Sequence, residues 1–473
     1  MVKDKQFYKQ ILALSLPAAF QSALSLLVVM ADNVMVTRTG AYALSAVAQS
    51  NAITTFVTAG LNGLATGAVV LISQYWGKRD MKRIKTICSV AAAACLLFAV
   101  LCVIAVRLFP RPLLRLVINA GETQVIDLAM QYLPIVAFSY LPYALTTAMV
   151  GMLKGVEVVR VTLYAALLSL ISNVIFNYIL IFGHLGLPAM GVTGAAIATV
   201  LAQLLSTIAC FIYAFAHYPQ LRLSRQDFAL TRSDICQHII QGIPLGLQFS
   251  VLAIGIIIMQ SVVVQFDMVD GLLVSSAAQN GYGAANKLFC LISTPLNALG
   301  VSMTSFAAQN LGAGDYKRIR QGTLQALIML LIVGVLSATI GLLLSIDGLY
   351  LRVFLSADKV TPETIRYGNT LLYVDFGLFL LVGFIYIMRN CIQGIERPQY
   401  VLCAGAGELI ARITVCLLLP AAVAGGKVDA NARPLAFYAL CAADPAAWIA
   451  SDLVLCIPFF RHILRQDYRY LIK

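Results

Sequence analysis

Long apolar runs recur along the whole chain, separated by short segments that collect Lys, Arg, Gly and Pro. Twelve runs are long enough for transmembrane helices, at 11–36, 43–75, 86–109, 129–151, 161–183, 190–216, 236–266, 273–310, 321–345, 369–393, 399–420 and 436–460. A hydrocarbon core about 30 Å thick needs about 20 such residues in a helix, and the longer runs leave room for tilt. The first run follows Lys3, Lys5 and Lys9 as in a signal peptide, but it is too long and contains Pro17 and Asp32. It is therefore expected to be retained as the first span. Little chain remains for a soluble domain. The pattern predicts an all-α polytopic membrane protein of twelve transmembrane helices.

Composition agrees. Of 473 residues, 60% are hydrophobic and 11% charged, with a mean hydropathy of +0.87; soluble domains are about 25% charged. The net charge of +12 reports orientation rather than a nucleic-acid partner, because no basic patch is interleaved with exposed aromatics. With an inner amino terminus, two thirds of the 33 Lys and Arg fall in cytoplasmic segments, densest in KRDMKRIK (Lys78–Lys85). This predicts both termini in the cytoplasm. The eleven cysteines form no C-x-x-C pair and lie mostly in spans, with Cys88, Cys95 and Cys102 on one face; they read as small packing residues. The four histidines form no metal cluster. There is no G-x-x-x-x-G-K-[ST], and AGAGELI lies inside a span, so no nucleotide or other cofactor is expected.

The chain reads as two related halves. GLNGLATGAVVLISQYWGKRDMKRIK (Gly60–Lys85) and PLNALGVSMTSFAAQNLGAGDYKRIR (Pro295–Arg320) match at nine of 26 positions. LPAAFQ pairs with IPLGLQ upstream, and LKGVE with IQGIE downstream, in the same order. Six spans per half give both halves the same topology, a parallel repeat about an axis along the membrane normal. The expected organisation is a six-helix lobe at 1–217, a cytoplasmic linker at 218–235, and a second six-helix lobe with a basic tail at 236–473. Two such lobes suit alternating access. Pro17 and Pro244 stand early in equivalent spans and are hinge candidates; Pro134 and Pro142 interrupt span four. Gly60, Gly63 and Gly67 provide a seam for close helix contact.

Ionisable residues within spans are costly, about 2.5–3.5 kcal/mol each at the bilayer centre by insertion scales. Asp32 lies in span one. Asn173 and Asn177 share a face of span five, and Thr199 adds a hydroxyl on span six. One carboxylate, two amides and a hydroxyl can supply oxygens to a small hard cation such as sodium, or stabilise Asp32 in either protonation state. Glu408 and Arg412 form an i,i+4 pair on span eleven. In the repeat register Arg412 is the counterpart of Asn173, Cys416 of Asn177 and Met259 of Asp32, so the second half replaces the amide with a fixed positive charge. Asp375 lies at the outer end of span ten, with Lys287 a partner for it or for Glu408; Asp452 lies in span twelve. Tyr140, Tyr143, Tyr282 and Tyr386 could present aromatic faces to cations in a cleft.

Several stretches carry a family resemblance: LPAAFQSALSLLVVMADNVMVTRTGAYALSAVA, ISQYWGKRD, ISNVIFNYILIFGHLGLPAMGVTGAAIATV and SFAAQNLGAGDYKRI. Through them nearly the whole chain resembles the MATE (multidrug and toxic compound extrusion) transporters. The resemblance implies twelve helices in two lobes, and export of organic, often cationic, compounds in exchange for protons or sodium ions. It also implies that Asp32, Asn173, Asn177 and Thr199 match a first-lobe cation site. Two departures stand out. An acid that some members carry after the span-seven proline is absent from PLGLQFSVLAIG, which has Gln248 and Ser250 there. The last outer stretch, VAGGKVDANARPLAFYALCAADPAAW, lacks the Gly-rich pattern of its first-half counterpart. The expectation is a monomeric inner-membrane antiporter and not an enzyme. The alternative, a flippase for lipid-linked sugars, fits less well with Lys287 and Arg412 as the basic residues read in spans against four acids.

Overall fold

A computed structural model describes residues 5–37, 40–115, 117–118, 123–224, 227 and 231–465; within these, the side chains of residues 6, 25–27, 29–34, 37, 41 and 220 fall outside the description. The described chain is overwhelmingly helical, since a helix satisfies its backbone internally where no water is available. The helices are α1 (Lys5–Thr37), α2 (Ala41–Gly77), α3 (Met81–Leu108), α4 (Pro110–Arg115), α5 (Thr123–Val136), α6 (Tyr140–Gly155), α7 (Arg160–Phe182), α8 (Gly191–His217), α9 (Arg232–Gln265), α10 (Ala277–Gly312), α11 (Tyr316–Ser345), α12 (Leu351–Phe354), α13 (Pro362–Gly377), α14 (Phe379–Gly394), α15 (Pro398–Ala424), α16 (Pro434–Cys441) and α17 (Ala443–Pro458). Among the described residues, ten helical stretches are long and apolar enough to cross a membrane, or eleven if the α13–α14 pair is one broken span. The expected first span coincides with α1.

Differences from the expected spans are local. Span four tightens into one 3₁₀ turn at Ala137–Ser139, three residues after Pro134, and continues as a single helical stretch from Thr123 to Gly155. Span ten bends by 55° between α13 and α14, at Leu378 and without a proline. The chain expected to open span eight at 273 instead forms a short antiparallel hairpin, Met268–Val269 with Leu272–Leu273. Its turn residues Asp270 (φ 50°) and Gly271 (φ 82°) are both left-handed, as the tightest hairpin turns require. Asp267, fully buried, closes the start of α10 by accepting from the backbone N–H groups of Ala278 (3.0 Å) and Gln279 (2.9 Å). α1 and α9 run unbroken through Pro17 and Pro244.

The chain forms two compact units. The first is Leu16–Leu247; the second joins the segment up to Ser15 with the chain from Gln248 onward. In the first, α2 packs on α3, α5 and α6, and α7 lies along α8. The glycine seam of α2 is used there: a Cβ on Gly63 would strike Gly246 backbone, and one on Gly67 would lie 2.7 Å from the Gly242 Cα. In the second, α10 packs on α11, α13 and α14, and α15 on α16 and α17.

The paired stretches adopt matching turns. After α2, the Lys78, Arg79 and Asp80 N–H groups donate to Gln74, Trp76 and Tyr75 carbonyls, and the Asp80 carboxylate caps α3 by accepting from the Arg83 N–H at 3.0 Å. After α10, Ala313, Gly314 and Asp315 donate to Gln309, Leu311 and Asn310, and Asp315 caps α11 through the Arg318 N–H, also at 3.0 Å. Glu157 and Glu396, aligned in LKGVE and IQGIE, both turn left-handed (φ 65° and 60°). A Cβ on Gly155 would press on Ile72, and one on Gly394 on Ala307, the residue aligned with Ile72.

Candidate functional site

Each unit buries a polar constellation at related helix positions. In the first unit the described part of it is a neutral amide pair. Asn173 and Asn177, one turn apart on α7, are 2% and 0% exposed, and the Asn177 Nδ2 donates to the Asn173 Oδ1 at 3.1 Å. α8 approaches α7 closely because Gly194 has no side chain: a Cβ there would lie 2.6 Å from the Leu180 carbonyl oxygen. Thr199 on α8 is half-buried and donates to its own helix at Ala195 (3.0 Å), which leaves lone pairs on its oxygen. Asp32 belongs to α1, but its side chain lies outside the described residues.

The tyrosines divide. Tyr140 is buried within an apolar cluster, its hydroxyl 3.1 Å from the Thr54 hydroxyl. Tyr143 is half-buried and donates to Asn62 Oδ1 at 3.3 Å. Tyr282 is buried on α10, and Tyr386 is half-buried on α14, where its carbonyl accepts from Asn390 Nδ2 at 2.7 Å. The α2 partners Thr54 and Asn62 were not singled out in the sequence.

In the second unit the constellation is charged. The expected Glu408–Arg412 pair forms at 3.4 Å, but it is the centre of a longer chain. Arg389 on α14 donates through Nη2 to Glu408 Oε2 at 2.8 Å and to the Ser451 hydroxyl on α17 at 3.2 Å. Arg412 reaches Asp444, at the start of α17, at 2.9 Å. The four charged side chains are between 8% and 17% exposed. Charge-assisted hydrogen bonds of this kind are strong when both partners are present, and removing one leaves a buried charge uncompensated. Two more acids stand at the ends. Asp375 on α13, 2% exposed, is within electrostatic reach of Asp444 and Arg412. Asp452 on α17 is within reach of Arg389 and Glu408.

Lys287 is brought to neither acid proposed for it: it is exposed and forms no ion pair among the described residues. Met259 and Cys416, aligned with Asp32 and Asn177, are both fully buried. The sequence reading missed Arg389, which it grouped with the basic inner ends, and Asp444, which it left in the last outer stretch. Both were visible as ionisable residues inside apolar runs. Among the described residues no group of His, Cys, Asp and Glu is arranged to hold a metal ion.

The helices and these buried polar sites define a polytopic membrane protein with ionisable groups deep in its spans, the usual mark of solute or ion pathways. Comparison with known proteins assigns it. The MatE family profile matches the chain twice, at residues 17–179 and 253–418. The chain belongs to the MatE family. A Bacillus subtilis protein named "Probable multidrug resistance protein YoeA" is 24% identical over 68% of this chain and 66% of its own length. A Thermotoga maritima protein named "Probable multidrug resistance protein NorM" is 24% identical over 69% of each. Alignments to these relatives span about two thirds of their length. A solved structure, described as the outward-facing conformation of a multidrug resistance MATE family transporter of the MOP superfamily, shares the fold: TM-score 0.81 at 18% identity, over 97% of this chain and 99% of that one.

Proposed function

We propose that the chain is a secondary active exporter that extrudes organic, cationic compounds in exchange for protons or sodium ions by alternating access. Family membership and the relatives' names as multidrug resistance proteins support export and favour neither an enzyme nor a lipid-linked sugar flippase. The observation that carries the coupling site is the buried amide pair of α7, Asn177 donating to Asn173. The hydrogen bond between the two amides holds the Asn173 carbonyl oxygen in place within an apolar helix bundle, where it can also accept from a protonated carboxyl group or bind a small cation. On this reading Asp32 is the charged member of the site, with Asn173, Asn177 and Thr199 around it. A proton or sodium ion there neutralises the carboxylate, and coupling follows only if affinity for that ion differs between the two states of the transporter. Asp375 and the tyrosines contribute to substrate binding. The protein lies in the inner membrane as a monomer with both termini cytoplasmic, following its distribution of Lys and Arg, and uses no cofactor beyond its coupling ion.

The test is transport in proteoliposomes with a cationic dye, titrated in pH and in sodium. Wild type should move protons or sodium inward as dye leaves, and Asp32→Asn should abolish that exchange. Dye movement with no accompanying ion movement in wild type would overturn the reading.

A further inference from the structure

The turn after α2 carries side chains that its own fold does not need. It is bonded like the turn after α10, yet Trp76, Lys78 and Arg79 stand where the second turn has Leu311, Ala313 and Gly314. The second turn shows that small residues build this backbone. Orientation does not call for the extra cations either, because both turns share a basic set, Lys82, Arg83 and Lys85 against Lys317, Arg318 and Arg320. Arg79 adopts φ 60° where Gly314 adopts 75°. A long side chain in the left-handed region is disfavoured, and it persists where another advantage outweighs the strain. Packing is not that advantage, because Arg79 is exposed.

The charges of the turn can be matched one by one. Arg83 pairs with Asp234, and Asp80 is committed to the cap of α3. Lys78 is exposed and lies over the Tyr75 ring, 5.0 Å from its centroid, which orients the ammonium without neutralising it. Neither Lys78 nor Arg79 forms an ion pair among the described residues. These two cations follow directly after Trp76, which stands at the end of the span Tyr42–Gly77 and is 36% exposed; its counterpart Leu311 is buried. An indole at a span end sits at headgroup level, and cations just beyond it face the phosphates of that leaflet. A free anion would call on the cations and leave the indole unused.

We propose that this turn is a binding site for an anionic phospholipid, with the Trp76 indole at the boundary between headgroup and acyl chains and with Lys78 and Arg79 on the phosphate diester. The occupant is a lipid of the inner leaflet, a placement that rests on the cytoplasmic orientation proposed above. The second turn, with Leu311, Ala313 and Gly314 in these places, carries no such site. One half of the repeat alone therefore recognises the lipid.

The protein supplies its own reporter, since it has two tryptophans and the other, Trp448, is 4% exposed and stacked on Phe289. The experiment is fluorescence quenching of Trp76 in full-length Trp448→Phe protein reconstituted in vesicles, with dibrominated phosphatidylglycerol or dibrominated phosphatidylcholine as the quencher. Phosphatidylglycerol should be preferred about 25-fold, about fivefold for each of two cations at an anionic surface. Lys78→Ala with Arg79→Gly, the pair the second turn carries, should remove that preference without loss of folded protein. Removing as much charge from the second turn, by Lys317→Gln with Arg320→Gln, should leave it unchanged. Equal quenching by the two lipids before any charge is removed would overturn the proposal. So would an equal loss from the two charge-removing pairs, which would mean diffuse attraction. Inorganic phosphate in place of chloride at constant ionic strength should have no effect; a preference abolished by it would mark a free-anion site and also overturn the proposal. Orientation is read separately. Arg79→Cys should react with a membrane-impermeant maleimide in inside-out vesicles and not in whole cells, beyond the labelling of the protein's own cysteines. The reverse pattern would overturn the inner-leaflet placement and leave the lipid preference standing.

Discussion

The two units bury polar groups at related places and solve the cost in opposite ways. On α7 the solution is an amide pair, Asn173 and Asn177, which adds no charge. On α15 the aligned positions are Arg412 and Cys416, and the guanidinium is balanced by acids on its own helix and on α17. An amide can change partners at low cost, whereas a buried ion chain is costly to open once formed. The first arrangement therefore suits a site that loads and unloads an ion. The second suits a frame that holds α14, α15 and α17 together.

That contrast can be broken most severely by exchanging its elements. Arg412→Asn, the residue its counterpart carries, would leave Asp444 buried without its guanidinium and should cost about 3–5 kcal/mol, the scale of an uncompensated buried charge; yield and thermal unfolding in detergent would show it. Glu408→Gln should come next, at a similar or slightly smaller cost, since Arg389 and Arg412 both lose a partner. Replacing a whole pair, Arg412→Met with Asp444→Leu, should be far milder than Glu408→Gln by the same measurement; an equal loss would mean that the chain is more than a charge-balanced frame. The matched changes Gly155→Ala and Gly394→Ala each force a methyl into a filled contact and should destabilise by about 1–3 kcal/mol, by similar amounts if the two units are built alike there. The smallest effect expected is Asn177→Leu, about 0.2–0.5 kcal/mol in stability, the scale of an i,i+4 side-chain pair on one helix, with a clear loss of ion-coupled transport. A stability loss without a transport defect would move Asn177 from the coupling site to packing.

The helices were largely legible because hydropathy acts on every residue of a span. What escaped depended on single residues or on partners from elsewhere. The bend at Leu378 carries no proline to mark it. The hairpin at 268–273 does have an Asp-Gly turn, but its apolar flanks resembled the start of a span. Of the charged chain, only Glu408–Arg412 could be read, because an i,i+4 pair shares one helix; Arg389 and Asp444 join it through contacts between α14, α15 and α17 that no local pattern encodes. The amide pair on α7 was legible for the same reason as the i,i+4 pair.

The turns after α2 and α10 have a use for anyone wishing to engineer the molecule. They are bonded alike, yet at the left-handed position one has Arg79 (φ 60°) and the other Gly314 (φ 75°). Each half is therefore a set of substitutions already accepted by the other at the same backbone geometry. Arg79→Gly relieves a side chain from a conformation it seldom adopts but frees the unfolded chain, and Gly314→Arg does the reverse at the cost of that strain. Working through such pairs would build a stabilised variant from the protein's own vocabulary, with no relative needed as a guide.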